Sequence, residues 1–221
     1  MEVTLHNVDM TATRPDPLAV VEGQHITLRR LTEDDLPELH RAIGTPEVFA
    51  GGWGGGPAAF RDNYDEWREF VLGYLPWNSG NVTALCLRGD DRIVGTSTLG
   101  DFDLENRSAH IGWTAYAPEV WGKGINPEAK LLLLGTAFDH GFERVKLQSD
   151  VLNERSRAAI LGIGATFEGI LRHTMQRADG SWRDTAFYSI LREEWPRVRE
   201  LLTSRSAAAP TLSGEDRAEP R

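Results

Sequence analysis

The chain has 221 residues, and its 33 acidic residues outnumber its 24 basic ones to give a formal net charge of −9. This length suits one domain with extensions. The acidic balance argues against nucleic-acid binding and is compatible with an amine substrate, with ordinary solubility as the alternative explanation. The sequence shows neither a signal-peptide pattern nor the roughly 20 apolar residues that span a bilayer, so we expect no membrane attachment.

The N-terminal part begins with residues 1–23, which contain two prolines and mixed polarity and are predicted to form an extension. Residues 25–31 alternate as a first strand, and a helix is predicted at residues 36–43. The five glycines around Trp53, within residues 49–57, predict a mobile loop, because glycine loses the most backbone entropy on ordering. Trp53 either closes over a substrate or is an exposed side chain on a linker.

A core helix and three strands are predicted next. Residues 62–75 place aromatic and apolar side chains at helical spacing. Strands follow at residues 82–87, 92–99 and 108–116. Cys86 lies in the first of these strands and is interpreted as a small buried hydrophobe, so no disulfide framework exists and a cytoplasmic location fits.

The stretch from residue 110 to residue 141 is the most informative part of the chain. It begins as a strand that Pro118 ends, because proline cannot donate to a strand ladder. After a short glycine turn, Asn126 is predicted to be the N-cap of a helix, with Pro127 at the first helical position and Gly141 at the stop. Apolar residues around most of the helix predict burial on more than one side.

The remaining sequence returns to strands and ends in a polar tail. The predicted elements are a strand at 144–151, a short helix at 153–161, a hairpin of strands at 167–175 and 182–191, and a final helix at 194–202. Residues 205–221 are rich in alanine, proline, serine and charge, and we predict that they are disordered. The order of elements predicts an α/β (α+β) fold with a mixed, mostly antiparallel central sheet flanked by helices.

The glycine turn before the central helix has the chemistry of an anion site. A helix N-terminus presents unpaired N–H groups and a partial positive charge, and glycines at positions 122 and 124 allow close approach of a phosphate. Lys123 adds a cation. A Walker loop is excluded because Lys123 lies between the glycines, and a dinucleotide fingerprint is excluded because Pro127 stands where its third glycine belongs. On the turn alone, a strand–helix connection that binds nothing remains an equal alternative.

The run P-E-V-W-G-K-G-I-N-P-E-A from Pro118 resembles the pyrophosphate-binding motif of GNAT N-acetyltransferases. Trp121 stands at the motif's arginine or glutamine position, and Asn126 stands at its final glycine or alanine position. These departures leave the anion chemistry in place, because that chemistry rests on backbone groups.

Three further segments, which begin at Asn153, Leu161 and Asp179, resemble the RimJ/RimL branch of that family in order and spacing. The resemblance implies a GNAT domain over residues 24–204. It also implies acetyl-CoA as co-substrate, no metal, and an amine acceptor, either a small molecule or a peptide. Dimerisation is common among relatives.

The resemblance assigns a set of site residues. Trp53 borders the acceptor site, and the cofactor-binding set is Thr114, Ala115, Tyr116, Trp121, Gly122, Lys123, Gly124, Ile125, Asn126, Asn153 and Ser156. Ser156 is also the predicted acid for the departing thiolate. The alternative for Asn153 and Ser156 is helix-cap chemistry, since both residue types favour caps.

The general base follows from the resemblance less directly. The branch's proposed glutamate falls at Met175, which cannot take a proton, whereas many relatives carry a glutamate at the position of His110. An imidazole with a pKa of about 6.5 suits a base at neutral pH, so His110 is our predicted base. The alternative is a histidine satisfied within the sheet, and His173, Asp101 and Asp103 are reserve candidates.

Three functional hypotheses follow. The first is direct transfer of an acetyl group, or of another acyl group, from coenzyme A to a primary amine. The second is a catalytically inactive CoA-binding sensor or interaction module, motivated by Met175. The third, a nucleotide-phosphate binder that uses the same turn, leaves the other family-like segments unexplained.

Overall fold

The structure is a computed structural model that describes residues 11–207. Its helices are α1 Leu36–Ile43, α2 Pro46–Ala50, α3 Tyr64–Tyr74, α4 Ile125–Asp139, α5 Glu154–Gly162 and α6 Trp195–Ala207. Its strands are β1 Val21–Glu22, β2 Ile26–Arg30, β3 Asn81–Leu87, β4 Ile93–Asp103, β5 Ser108–Tyr116, β6 Arg144–Asp150, β7 Thr166–Gln176 and β8 Trp182–Leu191.

The strands form one eight-stranded sheet in the order β1-β2-β3-β4-β5-β6-β8-β7. Every neighbouring pair is antiparallel except β5 and β6, which run parallel. The predicted mixed, mostly antiparallel sheet flanked by helices is therefore confirmed. The parallel pair arises because α4 carries the chain from the end of β5 back to the start of β6, as a parallel connection requires.

Helices cover both faces of the sheet, and each face has its own apolar core. Along β3, Leu85 and Leu87 belong to the core under α4 and α6, whereas Ala84 and Cys86 belong to the core under α1 and α3. This alternation follows from the two-residue period of a strand. Cys86 is a free, fully buried thiol, as its apolar setting predicted.

Both ends of the described chain pack more closely than the sequence indicated. Ala12 is buried in the core, the Thr13 amide donates to the His140 carbonyl at 2.9 Å, and β1 pairs with β2. At the other end α6 continues through residues 205–207, where the Ser206 hydroxyl donates to Glu128 at 3.2 Å. The predicted disordered tail is therefore wrong for these three residues; residues 1–10 and 208–221 lie outside the described range.

Helix α4 begins one residue after Gly124, so the prediction of Asn126 as N-cap is wrong. Gly124 is the cap and takes a left-handed φ of 75°, which glycine adopts without steric cost. Asn126 lies in the first turn, where its side-chain oxygen accepts a hydrogen bond from the Tyr116 hydroxyl at 2.9 Å. Pro127 is tolerated beside it because the first turn has no intrahelical partner for its nitrogen.

The glycine-rich segment is folded, contrary to the prediction of a mobile loop with an exposed tryptophan as one alternative. Short 3₁₀ turns form at Trp53–Gly55 and Pro57–Ala59, and Trp53 is only 6% exposed. Its ring packs edge-on against Phe49, Phe70 and Tyr74. Glycines with positive φ on either side turn the chain so that this ring can enter the core.

Candidate active site

The sheet is forked between its two parallel strands. Strands β5 and β6 pair over only three residues, from Ser108 opposite Arg144 to His110 opposite Lys146. Beyond that point, in the described range, each strand continues with its outer neighbour alone, β5 with β4 and β6 with β8. Helices α4 and α5 begin just past the open ends of β5 and β6. A ligand that enters the fork therefore meets two strand ends and two helix N-termini, a common place for binding sites in α/β sheets.

A bulge in β5 shapes one arm of the fork. Gly112 and Ala115 face Thr98 and Thr96 of β4, so the β5 side holds one residue more than the β4 side. Trp113 lies in the bulge with a φ of 51°, an uncommon value for a side chain of this size. The indole Nε1 of Trp53 donates to the Trp113 carbonyl at 3.4 Å. Bulges often re-aim the backbone beside active sites, and this one lies next to the predicted residues 114–116.

The three predicted residues of β5 point to different faces. Ala115 is buried in the core under α1 and α3. The Thr114 hydroxyl accepts from the Lys130 amine of α4 at 2.9 Å, and the Tyr116 hydroxyl donates to Asn126. Burial raises the pKa of Tyr116, so its hydroxyl stays protonated. The side chains of Thr114 and Tyr116 are thus engaged with α4, which leaves backbone groups as the part of β5 that can face a ligand.

The glycine turn has the geometry expected of an anion site. Gly122 and Gly124 both have a φ of 75°, and α4 starts directly after them with the buried Ile125. Lys123 is half-exposed in this turn. Two αL glycines before a helix of 15 residues leave the first amides of α4 without intrahelical partners. The structure therefore brings together the predicted residues 122–126.

The tryptophan of the turn is held on both sides. The Nε1 of Trp121 donates to the Tyr116 carbonyl at 2.9 Å, and the guanidinium of Arg155 lies 3.7 Å from the centre of the Trp121 ring. Arg155 belongs to the first turn of α5. Sequence reasoning missed it, because nothing in the spacing of the two residues indicates that they meet.

The start of α5 is fixed by its predicted pair of residues. The side-chain oxygen of Asn153 accepts from the Ser156 amide at 2.9 Å, which makes Asn153 the N-cap of α5. Its side-chain nitrogen donates to the Gly51 carbonyl at 2.7 Å and so ties α5 to the glycine-rich segment. Cap chemistry, the alternative weighed for Asn153, is thus present. Ser156 is half-buried in the first turn of the helix.

His110 lies at the point where the fork opens, and its buried ring pairs with the exposed carboxylate of Asp101. Its Nδ1 is 2.9 Å from the Asp101 carboxylate, which also lies 3.5 Å from the Lys146 amine. His110 is 2% exposed, and burial lowers its pKa even though the bond to Asp101 acts to raise it. That bond in turn lowers the pKa of Asp101. A carboxylate can only accept, so Nδ1 carries the proton of the neutral ring and Nε2 is left with its lone pair.

The other ring nitrogen of His110 is not used by the sheet. Within residues 11–207, its Nε2 is buried and has no hydrogen-bond partner. The alternative was a histidine whose ring nitrogens are both hydrogen-bonded within the sheet. Nδ1 is bonded in this way, whereas Nε2 is not. A neutral imidazole with a free lone pair is the form that accepts a proton.

Of the three reserve candidates for the general base, only Asp101 lies next to His110. Asp103 binds the side chain and backbone of Asn106 in the turn after β4. His173 lies on the exposed edge strand β7, which also carries the exposed Met175, and its ring stacks on that of Trp182 at the start of β8. Among residues 11–207 no group of three or more His, Cys, Asp or Glu side chains could hold a metal ion.

Helix α4 carries two buried ionisable residues, Glu128 and Lys130, whose roles the sequence did not indicate. Glu128 accepts from the amides of His25 and Ile26, at 2.7 and 3.2 Å, and so anchors the start of β2. Lys130 is 6% exposed, and its amine donates to two hydroxyls, Thr114 at 2.9 Å and Ser97 at 3.4 Å. Burial lowers its pKa to about 7. Lys130 thus places a titrating amine directly behind β5.

The forked mixed sheet, with a glycine turn at one arm, is the fold of an acetyltransferase. Residues 25–166 match the family described as acetyltransferase (GNAT) domain, and the chain belongs to this family of N-acetyltransferases. A Bacillus subtilis (strain 168) protein with the provisional name ribosomal N-acetyltransferase YdaF is 31% identical over 179 residues, which is 78% of this chain and 94% of that protein.

Solved structures share the fold. A provisionally named acetyltransferase from T. thermophilus is 32% identical with a TM-score of 0.75, over 87% of this chain and 98% of that one. RimJ of Mycobacterium smegmatis, solved in complex with CoA-disulfide, is 23% identical with a TM-score of 0.68, over 85% of this chain and 94% of that one. The predicted resemblance to the GNAT superfamily is confirmed. In the described range no helix is long and apolar enough to cross a membrane.

Proposed function

We propose that this protein transfers the acetyl group of acetyl-CoA directly to a primary amine, on a protein N-terminus or a small molecule. The observation that carries this proposal is the buried His110 at the fork, whose Nε2 has no partner within the described residues. An amine must lose a proton as it attacks a thioester, and a neutral imidazole at that point can accept it.

The proposed path of acetyl-CoA follows β5. Its pyrophosphate would lie on the turn of residues 121–124 and on the first amides of α4. Its pantetheine arm would run past the backbone of residues 114–116 toward the bulge, with Asn153 and Ser156 on the opposite arm. The two αL glycines and the open edge of β5 support this placement, because a glycine turn before a helix and an unpaired strand edge both present backbone groups to a ligand.

The chemistry needs few groups beyond these. The amine nitrogen attacks the thioester carbon, and His110 takes the amine proton directly or through a water molecule. A backbone N–H of the β5 bulge is the proposed donor to the oxyanion that forms. The carbon–sulfur bond then breaks, and the sulfur leaves as a thiolate that Ser156 protonates. A thiolate is a good leaving group, so the proton from Ser156 is a minor contribution.

The acceptor is proposed to enter from the side of α3 and the glycine-rich segment. Trp53 is buried there and bonded to the β5 bulge, so we assign it the role of a fixed wall rather than a lid. The name of YdaF raises a ribosomal protein as one acceptor, and the net charge of −9 favours a cationic one. A cytoplasmic location, suggested by the single buried cysteine, and a homodimer belong to the same proposal.

The first experiment is calorimetric titration with acetyl-CoA of the parent protein and a Gly124→Glu variant. This change places a carboxylate where the pyrophosphate is proposed to lie. The matched control is Gly73→Glu, because Gly73 is exposed on α3, on the other side of the sheet, with open space around an added Cβ. We expect the parent and the control to bind and the Gly124 variant to lose binding. Folded proteins that all fail to bind would contradict the proposal.

The second experiment separates an enzyme from an inactive CoA-binding module. Free thiol released from acetyl-CoA is measured with a panel of primary amines, among them peptides with free N-termini and polyamines. Release accelerated by an amine in the parent, and reduced in His110→Ala, would support acetyl transfer. Tight binding of acetyl-CoA with no acceleration by any amine would favour the CoA-binding sensor.

A further inference from the structure

A positively charged side chain lies at the glycine turn of residues 121–124, but it does not come from the turn itself. In the motif that the turn resembles, position 121 carries arginine or glutamine, and here it carries tryptophan. The structure places the guanidinium of Arg155 3.7 Å from the centre of that tryptophan ring. A positive charge is thus present at the turn, but it belongs to α5.

The geometry of this stack is fixed from both elements. The Trp121 indole is oriented by its bond to the Tyr116 carbonyl at 2.9 Å, so its ring forms a platform on the turn. Arg155 lies in the first turn of α5, which Asn153 caps and ties to Gly51. The stack therefore bridges the two arms of the fork, next to Gly122.

The N–H groups of Arg155 are available to a ligand. Stacking uses the flat face of a guanidinium and leaves the N–H groups of its edge directed outward. Within residues 11–207, Arg155 takes part in no ion pair, and Asp150, at the end of β6, is already held by Arg177 at 2.5 and 2.9 Å. Arg155 is exposed, so a ligand in the fork can reach it.

We propose that Arg155, stacked on Trp121, binds a phosphate group of acetyl-CoA and supplies the side-chain cation that position 121 lacks. The inference rests on the proposed function, since it assumes acetyl-CoA in the fork. A guanidinium binds phosphate with two parallel hydrogen bonds, which are about twice as strong as neutral ones. Acetyl-CoA offers two such groups, the pyrophosphate and the 3′-phosphate, and both present the same chemistry to Arg155.

The test is calorimetric titration of acetyl-CoA into the parent, Arg155→Ala, Arg155→Lys and a control, Arg68→Ala. Arg68 is a half-exposed arginine on α3, paired with Glu33 and on the other side of the sheet from α4. We expect about tenfold weaker binding for Arg155→Ala, partial recovery for Arg155→Lys, and parental affinity for Arg68→Ala. Circular dichroism verifies that each variant is folded.

A double-mutant cycle tests the platform. If Arg155 acts from the Trp121 ring, Trp121→Ala weakens binding, and the double variant is no weaker than the worse single variant. Additive losses would show that the two residues act separately, which would contradict a shared site.

A second ligand identifies the phosphate. With acetyl-3′-dephospho-CoA, a pyrophosphate contact predicts the same tenfold loss in Arg155→Ala, whereas a 3′-phosphate contact predicts weaker parental binding and no further loss. Parental affinity for acetyl-CoA in Arg155→Ala overturns the inference and leaves the proposed function standing. Failure of the folded parent to bind acetyl-CoA overturns both.

Discussion

The imidazole of His110 and the carboxylate of Asp101 form a hydrogen-bonded pair of 2.9 Å that leaves one ring nitrogen of His110 committed and the other without a partner in the described range. Asp101 itself has a left-handed φ of 48°, a region that aspartate enters more readily than most non-glycine residues. Its carboxylate also lies 3.5 Å from the Lys146 amine. The pair thus fixes both the tautomer and the orientation of the base.

Replacing Asp101 by asparagine should lower kcat by about tenfold, because an amide can donate to Nδ1 and move the proton to Nε2. Affinity for acetyl-CoA should stay the same, since the change lies away from the phosphate turn. The control is Asp103→Asn, a position at the end of the same strand that binds Asn106. Equal kcat for the two variants would show that Asp101 does not position the base.

Removing His110 tests the base itself. His110→Ala should lower kcat by roughly 10²-fold with acetyl-CoA binding retained, the usual scale for loss of a general base. His173→Ala, on the exposed edge strand, serves as the control histidine variant. An unchanged kcat in His110→Ala across the pH range would remove His110 from the mechanism.

The pH dependence of the parent follows from the same residue. Burial lowers the pKa of His110 below 6.5, so the active neutral ring predominates at pH 6.5 and above. At saturating amine, titration of His110 should therefore leave kcat unchanged above pH 6.5 and lower it only as the pH drops through the lowered pKa. The ionisation of the acceptor amine adds its own rise in kcat/KM at higher pH. Asp101→Asn removes the carboxylate that raises this pKa and should move the acid limb to lower pH. An acid limb of kcat above pH 7 that stays at the same pH with amines of different pKa would contradict the assignment.

Ser156 is expected to matter little to the rate. Ser156→Ala should lower kcat by less than about threefold, because a thiolate leaves without much assistance. The Asn153 cap accepts from the backbone amide of residue 156 and so survives the substitution. Thiol release measured beside a thermal melt separates chemistry from folding. A collapse of kcat with an unchanged melt would make Ser156 an essential acid.

Lys130 should destabilise the fold near neutral pH. Its folded pKa is lowered from 10.5 to about 7, so between these values the unfolded chain binds more protons and stability rises with pH. Lys130→Met should remove this slope and raise stability at pH 7.5 by about 1–3 kcal/mol. The hydroxyls of Ser97 and Thr114 lie 2.7 Å apart and keep each other bonded.

Denaturant unfolding at several pH values measures the effect of Lys130. The matched control is Leu131→Met, half-buried on the same helix, which changes side-chain shape without removing an amine. A Lys130→Met variant that is less stable than the parent at pH 7.5, with the pH slope unchanged, would show that the amine is not held in its neutral form.

The sequence predicted most elements and their order because most have a local signal, whereas the short β1 and α2 were missed. Alternation marks β2 and β6, and the turn of Gly122 and Gly124 marks the start of α4. The N-cap was misassigned to Asn126 because asparagine and αL glycine are both start signals, and only the backbone angles at Gly124 decide between them.

The parts that sequence reasoning missed depend on contacts between distant residues. Glycine content alone indicated mobility around Trp53, whereas the aromatic rings of α2 and α3 hold that side chain in the core. Lys130 was counted within a nearly apolar helix, because its hydroxyl partners lie on two strands. The Arg155–Trp121 stack joins residues from α5 and the turn after β5, a contact that spacing along the chain cannot reveal.

The fork between β5 and β6 gives this sheet two edges inside the molecule in addition to its two outer ones. Past His110 and Lys146 the facing strand edges have no partner strand in residues 11–207, and such edges exchange their amide hydrogens readily and attract other extended chains. A ligand lying between them would act as a substitute strand. A bound ligand would then protect the backbone amides of both arms from exchange at the same time.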